Sequence, residues 1–130
     1  MAVDPSRLRH VPLFATLTDA ELDSVAAKLE ERHVEEGRHL TTEHGSGYFF
    51  FVIDEGAADV SHDEGEVVAT LGPGDFFGEA AIFRTRRRTA TVTATTDTVV
   101  FAMFGADFAV LVEQIPELKA EIDAALDARK

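Results

Sequence analysis

The sequence predicts a mainly β protein with flanking helices: an eight-stranded antiparallel jelly-roll barrel with N-terminal helices and two C-terminal helices. Three observations predict it. Turn signals (Glu35-Glu36-Gly37, His44-Gly45-Ser46-Gly47, Glu55-Gly56, Asp63-Glu64-Gly65, Gly72-Pro73-Gly74) recur about every eight to ten residues through the middle of the chain, the spacing of short antiparallel strands. The segments before and after carry apolar residues at helical spacing. Residues 48–53 (YFFFVI) and 99–104 (VVFAMF) are continuous apolar runs, as strands covered on both faces would be.

The chain reads as a single domain, 1–130, with an N-terminal helical segment at 1–30, a barrel at 31–104 and C-terminal helices at 105–130. Residues 5–10 suggest a short helix with Leu8 and Val11 as its apolar contacts. Thr18-Asp19-Ala20-Glu21 is a capping box, and the helix it opens places Leu22, Val25, Ala26 and Leu29 on one stripe. In the barrel, Val67, Ala69 and Leu71 alternate with Glu66, Val68 and Thr70 as in a half-buried strand, after a hairpin tip at Asp63-Glu64-Gly65. The ten phenylalanines are expected in the core, with Phe76 and Phe77 as candidate exceptions. After Gly105, Phe108, Leu111, Val112 and Ile115 form one stripe. Pro116 breaks the run and opens a helix with Leu118, Ile122, Ala125 and Leu126 on its apolar face.

Composition narrows the function. The absence of cysteine excludes disulfides, thiolate catalysis and cysteine metal sites. No apolar run reaches the roughly 20 residues that span a bilayer, and the N-terminus lacks the apolar core of a signal peptide, so a cytoplasmic protein is expected. A net charge of −12 repels nucleic acids and anionic membrane surfaces. Yet four of the 12 basic residues crowd into positions 84–88. A local positive spot on an acidic body suits a small anion in a pocket.

That spot lies in residues 72–92, GPGDFFGEAAIFRTRRRTATV. A Gly-Pro-Gly-Asp turn and two aromatics lead into Gly78-Glu79-Ala80-Ala81-Ile82, which suggests a short helical turn with free N–H groups suited to an anion. Arg88 follows Glu79 by nine residues. On a strand of period two it shares a face with Ala90, Val92 and Ala94. An inward arginine there needs an anionic partner. FGEAAIF followed by RRRTATV resembles the phosphate-binding cassette of the cyclic nucleotide-binding domain family, which includes protein kinase A regulatory subunits, catabolite activator proteins and cyclic nucleotide-regulated channels. The resemblance implies that Glu79 binds the ribose 2′-hydroxyl and that Arg88 pairs with the cyclic phosphate. It gives backbone contacts to Gly78, Ala80 and Ala81, and places Phe77, Thr89 and Ala90 at the site as well. Arg87 stands where the family usually has proline. The resemblance also implies an N-terminal segment that moves with ligand and a last helix that folds over the site as a lid.

The expected function is therefore a small regulatory, non-enzymatic sensor of a cyclic nucleotide, cAMP favoured over cGMP, that signals through its flanking helices. It needs no cofactor or metal. Readout requires an unknown downstream protein partner or a homodimer, with neither nucleic acid nor membrane engaged. Three competing readings stand beside it. Glu79 and Arg88 could be an ordinary surface pair, worth at most about 1 kcal/mol. The fold could be a degenerate module that serves only protein interaction. A cupin-like metal enzyme would need converging histidines, but His10, His33, His39, His44 and His62 form no H-x-H pair.

Overall fold

The computed structural model describes residues 3–41, 49–61, 66–78, 82 and 90–128. Two 3-10 turns come first, Pro5–Leu8 and Pro12–Phe14, each begun by a proline whose missing N–H costs nothing there. Asp4 caps the first, its Oδ1 accepting from the Ser6 amide at 3.0 Å. The expected helix at 5–10 is thus a single turn. Val11 is held extended (φ −81°, ψ 118°), as residues before proline are, so the turn cannot run on.

Helix α1 (Asp19–Lys28) has the predicted capping box. The Glu21 amide donates to Thr18 Oγ1 at 3.1 Å, and the Thr18 amide donates to Glu21 Oε1 at 2.9 Å. Eight strands follow among the described residues: β1 (Glu30–Val34), β2 (His39–Thr41), β3 (Phe49–Glu55), β4 (Ala58–Ser61), β5 (Val67–Leu71), β6 (Phe76–Phe77), β7 (Thr91–Ala94) and β8 (Thr98–Phe104). Helices α2 (Gly105–Gln114) and α3 (Pro116–Ala128) complete the chain, with Pro116 opening α3 as expected.

The strands form two four-stranded antiparallel sheets, ordered β1-β8-β3-β6 and β2-β7-β4-β5. The architecture is the predicted mainly β class, realised as two packed sheets and not as a closed barrel. The first sheet is covered on both sides, which accounts for the two continuous apolar runs. Phe50, Val52, Phe101 and Met103 face a cluster with Leu22, Val25, Phe108, Leu118 and Ile122 of the helices. Their neighbours Phe51, Ile53, Val100 and Ala102 face the second sheet, packing with Phe77, Ala58 and Val92. Each large side chain so buried stabilises the fold by about 1.5–3 kcal/mol.

Two further details differ from expectation. β5 is not half-buried: Val67 to Thr70 are all exposed, because β5 is the edge strand of its sheet with only β4 beside it. Phe104 ends a run expected to be covered on both faces, yet it is 61% exposed, because the chain turns there into α2.

Candidate functional site

The approach to the site is built by the turn at residues 72–75. Pro73 and Gly74 occupy its centre, and Gly74 has φ +88°, the left-handed conformation that a type II turn requires at that position. The Asp75 amide donates to the Gly72 carbonyl at 3.0 Å, and the Gly72 amide donates back to Asp75 Oδ2 at 2.8 Å. The turn is fastened to β3: Gly74 N donates to Ile53 O, and Ile53 N donates to Asp75 O, both at 2.8 Å. This fixes the register of β6, which pairs Phe77 with Phe51 and Phe76 with Val52.

The two phenylalanines diverge. Phe77 is 5% exposed and stacks on Phe51 between the sheets (centroids 5.0 Å apart, 20° between planes). Phe76 points to the helical side, 5.7 Å from Phe50. Gly78 follows with φ +100°, a backbone that side chains with a Cβ rarely adopt.

The far wall is β7. Ala90, Val92 and Ala94 are all buried (9%, 4% and 1% exposed), so the small, apolar strand face predicted from the alternating run is present. The chain leaves the first sheet after Phe77 and enters the second at Thr91. The described ends of the cassette, β6 and β7, therefore lie in different sheets. Of the predicted site residues, the structure places Phe77, Gly78 and Ala90 at the two anchor points; Glu79, Ala80, Ala81, Arg88 and Thr89 lie outside the described residues. Ile82 packs against the helix-side cluster.

Sequence reasoning missed two supporting residues. Asp75 ties the turn through its carboxylate, a role that the Gly-Pro-Gly-Asp pattern signals. Phe51 backs Phe77 across the strand pair, a role visible only once the register is known. Among the described residues no group of three histidine or carboxylate side chains could hold a metal. His10, His33 and His39 lie apart on the N-terminal segment, β1 and β2, with His10 and His33 largely exposed. His44 and His62 lie outside the described residues. No helix among the described residues is long and apolar enough to cross a membrane.

Residues 31–115, which include both sheets and α2, match the family model of the cyclic nucleotide-binding domain. The chain belongs to the cyclic nucleotide-binding domain family. It is 37% identical over 97 residues to a cAMP-dependent protein kinase regulatory subunit of Colletotrichum orbiculare, an alignment covering 74% of this chain and 25% of that protein. The chain thus spans about a quarter of the length of the curated regulatory subunits it matches. Among solved structures, a candidate cyclic nucleotide-binding protein of Geobacter metallireducens superimposes with a TM-score of 0.85 at 26% identity, over 98% of each chain. The regulatory domain of Toxoplasma gondii protein kinase A, crystallised with cAMP, gives 0.74 at 29% identity over 82% of this chain and 42% of that one.

Proposed function

We propose that this chain binds a cyclic nucleotide, cAMP in preference to cGMP, and acts as a cytoplasmic regulatory sensor with no catalytic activity of its own. The observation that carries this is the pair of anchors. Phe77-Gly78 on one sheet and Ala90 on the other hold the ends of a stretch whose Glu79 and Arg88 match the family's ribose and phosphate contacts. The cyclic phosphate docks on the amides after Gly78 and pairs with Arg88 by a charge-assisted bond, the strong kind. Glu79 accepts from the ribose 2′-hydroxyl, which discriminates against deoxyribose. The preference for cAMP is supported by relatives named for cAMP.

Binding is transmitted through the flanking helices. Phe76 and Ile82, one on each side of Glu79, both pack on the cluster that holds α2 and α3. A ligand that favours one arrangement of the cassette therefore shifts the helix population. The recipient is a downstream protein partner or a second copy of the chain. The acidic body argues against nucleic acid as that recipient.

The test is isothermal titration calorimetry with cAMP and then cGMP, after any co-purified nucleotide has been removed by unfolding and refolding. Micromolar or tighter binding of cAMP, weaker for cGMP, is expected. Silence with both rejects the proposal in favour of a protein-interaction module.

A further inference from the structure

Between β5 and β6 the chain changes sheets. Leu71 ends the edge strand of the second sheet, and Phe76 begins the edge strand of the first. Residues 72–75 make the crossing, and one side chain closes it. Asp75 Oδ2 accepts from the Gly72 amide at 2.8 Å, so the last residue of the crossing holds the first. Gly72 contributes that amide and nothing that its being glycine would explain. It has no positive φ, and a Cβ there would meet nothing within 4 Å. Gly74 differs on both counts, with φ +88° and Pro12 Cδ 3.2 Å from where its Cβ would stand.

The bond matters because β6 is two residues long. Its ladder consists of two pairs, Phe77 with Phe51 and Phe76 with Val52. So short a strand specifies its own register weakly. A slip of one residue would exchange the faces of Phe76 and Phe77, and it would move Gly78 by about 3.4 Å along the strand. Gly78 directly precedes Glu79, the first of the two side chains matched to ligand contacts. By closing the turn, Asp75 fixes where β6 can begin relative to the end of β5.

We propose that Asp75 is a positioning residue for the nucleotide site, acting through the Gly72 amide to hold β6, and with it Gly78, in the binding register. This rests on the nucleotide-binding proposal. It is distinct from contact with the ligand, since the negative charge of Asp75 would by itself oppose an anion nearby.

That sign shapes the test. Asp75→Ala and Asp75→Asn each remove one negative charge, so any general effect on anion attraction is the same in both. Only asparagine keeps a side-chain oxygen that can accept from the Gly72 amide. The full chain and both variants are titrated with cAMP by calorimetry, well below the Tm of each. Asp75→Asn is expected to bind within about twofold of the unsubstituted chain. Asp75→Ala is expected to bind about three- to tenfold more weakly than Asp75→Asn, the range that one net hydrogen bond supports. The Gly72 amide resonance should shift further in Asp75→Ala than in Asp75→Asn. Should Asp75→Ala fail to fold, Asp75→Gln takes its place, its oxygen being set one methylene too far to close the same turn. Equal affinity in the two variants overturns the positioning role, whether both bind like the unsubstituted chain or both bind more weakly, and nucleotide binding then stands without it. Absence of heat with cAMP and with cGMP in the unsubstituted chain overturns the binding proposal itself, and the role of Asp75 with it.

Discussion

Arg7 donates to Asp54 Oδ2 at 2.8 Å, tying the first turn of the chain to the end of β3. The same guanidinium bonds to Glu31 on β1 and lies 4.9 Å above the Phe101 ring of β8. One side chain thus joins the N-terminal segment to three strands of the first sheet. The Asp54 side chain is only 8% exposed, so removing Arg7 leaves a largely desolvated carboxylate whose remaining neighbour is His10 at 3.6 Å. Arg7→Ala is expected to cost about 1–3 kcal/mol, the scale for an unsatisfied buried polar group. Arg9 and Asp19 form the comparison pair. Their side chains are 41% and 96% exposed, and Arg9→Ala is expected to cost about 1 kcal/mol or less. Urea unfolding of the two variants distinguishes them, and equal losses would remove the special role of Asp54.

The same network makes stability depend on acid. The bond from Arg7, followed by that from His33, holds the Glu31 carboxyl below the usual carboxylate range. The Ser6 amide and hydroxyl do the same for Asp4. A carboxylate with a depressed folded pKa contributes stability that is fully present above its unfolded pKa and is lost as pH falls through the folded one. Thermal unfolding between pH 7 and pH 5 should therefore change little on account of these groups, and Tm should drop as pH falls below about 4.3, the ordinary glutamate value. Glu31→Gln should shrink that acid-side drop. An unaltered profile would show that Glu31 is not one of the groups responsible.

Gly56 and Gly37 both adopt positive φ, +95° and +89°, but their surroundings differ. A Cβ at Gly56 would lie 2.6 Å from Thr98 Oγ1 and 2.8 Å from the Asp97 carbonyl, whereas one at Gly37 meets nothing within 4 Å. Gly37→Ala is expected to cost about 1–2 kcal/mol, the backbone term alone. Gly56→Ala adds a clash with β8 backbone and is expected to cost about 3 kcal/mol or more in total. Chemical denaturation of the two variants measures the difference, which vanishes if the turn at Gly56 can relax away from Thr98.

Much of this fold is legible in the sequence because local and tertiary demands agree. The capping box at Thr18 and the break at Pro116 are local chemistry, and both form as predicted. The double-sided burial of β3 and β8 follows from their unbroken apolar runs. Legibility ends where environment overrides pattern. Val67, Ala69 and Leu71 alternate like a half-buried strand, but an edge position leaves Val67 and Val68 exposed. Nothing local distinguishes an edge strand from an inner one. Phe104 carries no local sign of exposure either, since its position depends on where β8 gives way to α2. At the site, the resemblance names Gly78 and Ala90 as site residues, but that they flank strands of different sheets is seen only in the topology. The tie made by Asp75 is signalled by the Gly-Pro-Gly-Asp pattern, whereas Phe51 needed the register of β3 on β6.

The arginine cluster offers a direct test of specific against diffuse attraction. Arg86, Arg87 and Arg88 are consecutive, so a general positive field would weight them alike. If Arg88 alone makes the phosphate contact, Arg88→Ala should cost about 2–5 kcal/mol of nucleotide affinity, the scale for truncating one partner of a buried charge pair. Arg86→Ala and Arg87→Ala should change affinity by less than about 1 kcal/mol, and that residual effect should fade with added salt. Calorimetry on the three variants at two ionic strengths decides. Comparable losses at all three positions would mean diffuse attraction.

The C-terminal helices are the expected output of binding. Phe108 of α2 stacks on Phe50 with centroids 3.8 Å apart and planes 6° from parallel. Phe50 in turn meets Phe76 at the start of the cassette. Leu118, Ile122 and Leu126 of α3 are each 7% exposed or less in the same cluster. Phe76 and Ile82 of the cassette and both helices therefore share one packed cluster, and on the proposed reading a ligand that fixed the cassette would narrow the arrangements open to the helices. Local opening sets amide exchange in such segments. Saturating cAMP should accordingly slow hydrogen exchange across residues 106–129 as well as in the cassette. The edge strand β5, whose residues take no part in that helix-side cluster, should exchange at an unchanged rate and serves as the internal control. Slowing confined to the cassette, in a sample that calorimetry shows to be saturated, would mean that nucleotide binds without engaging the helices.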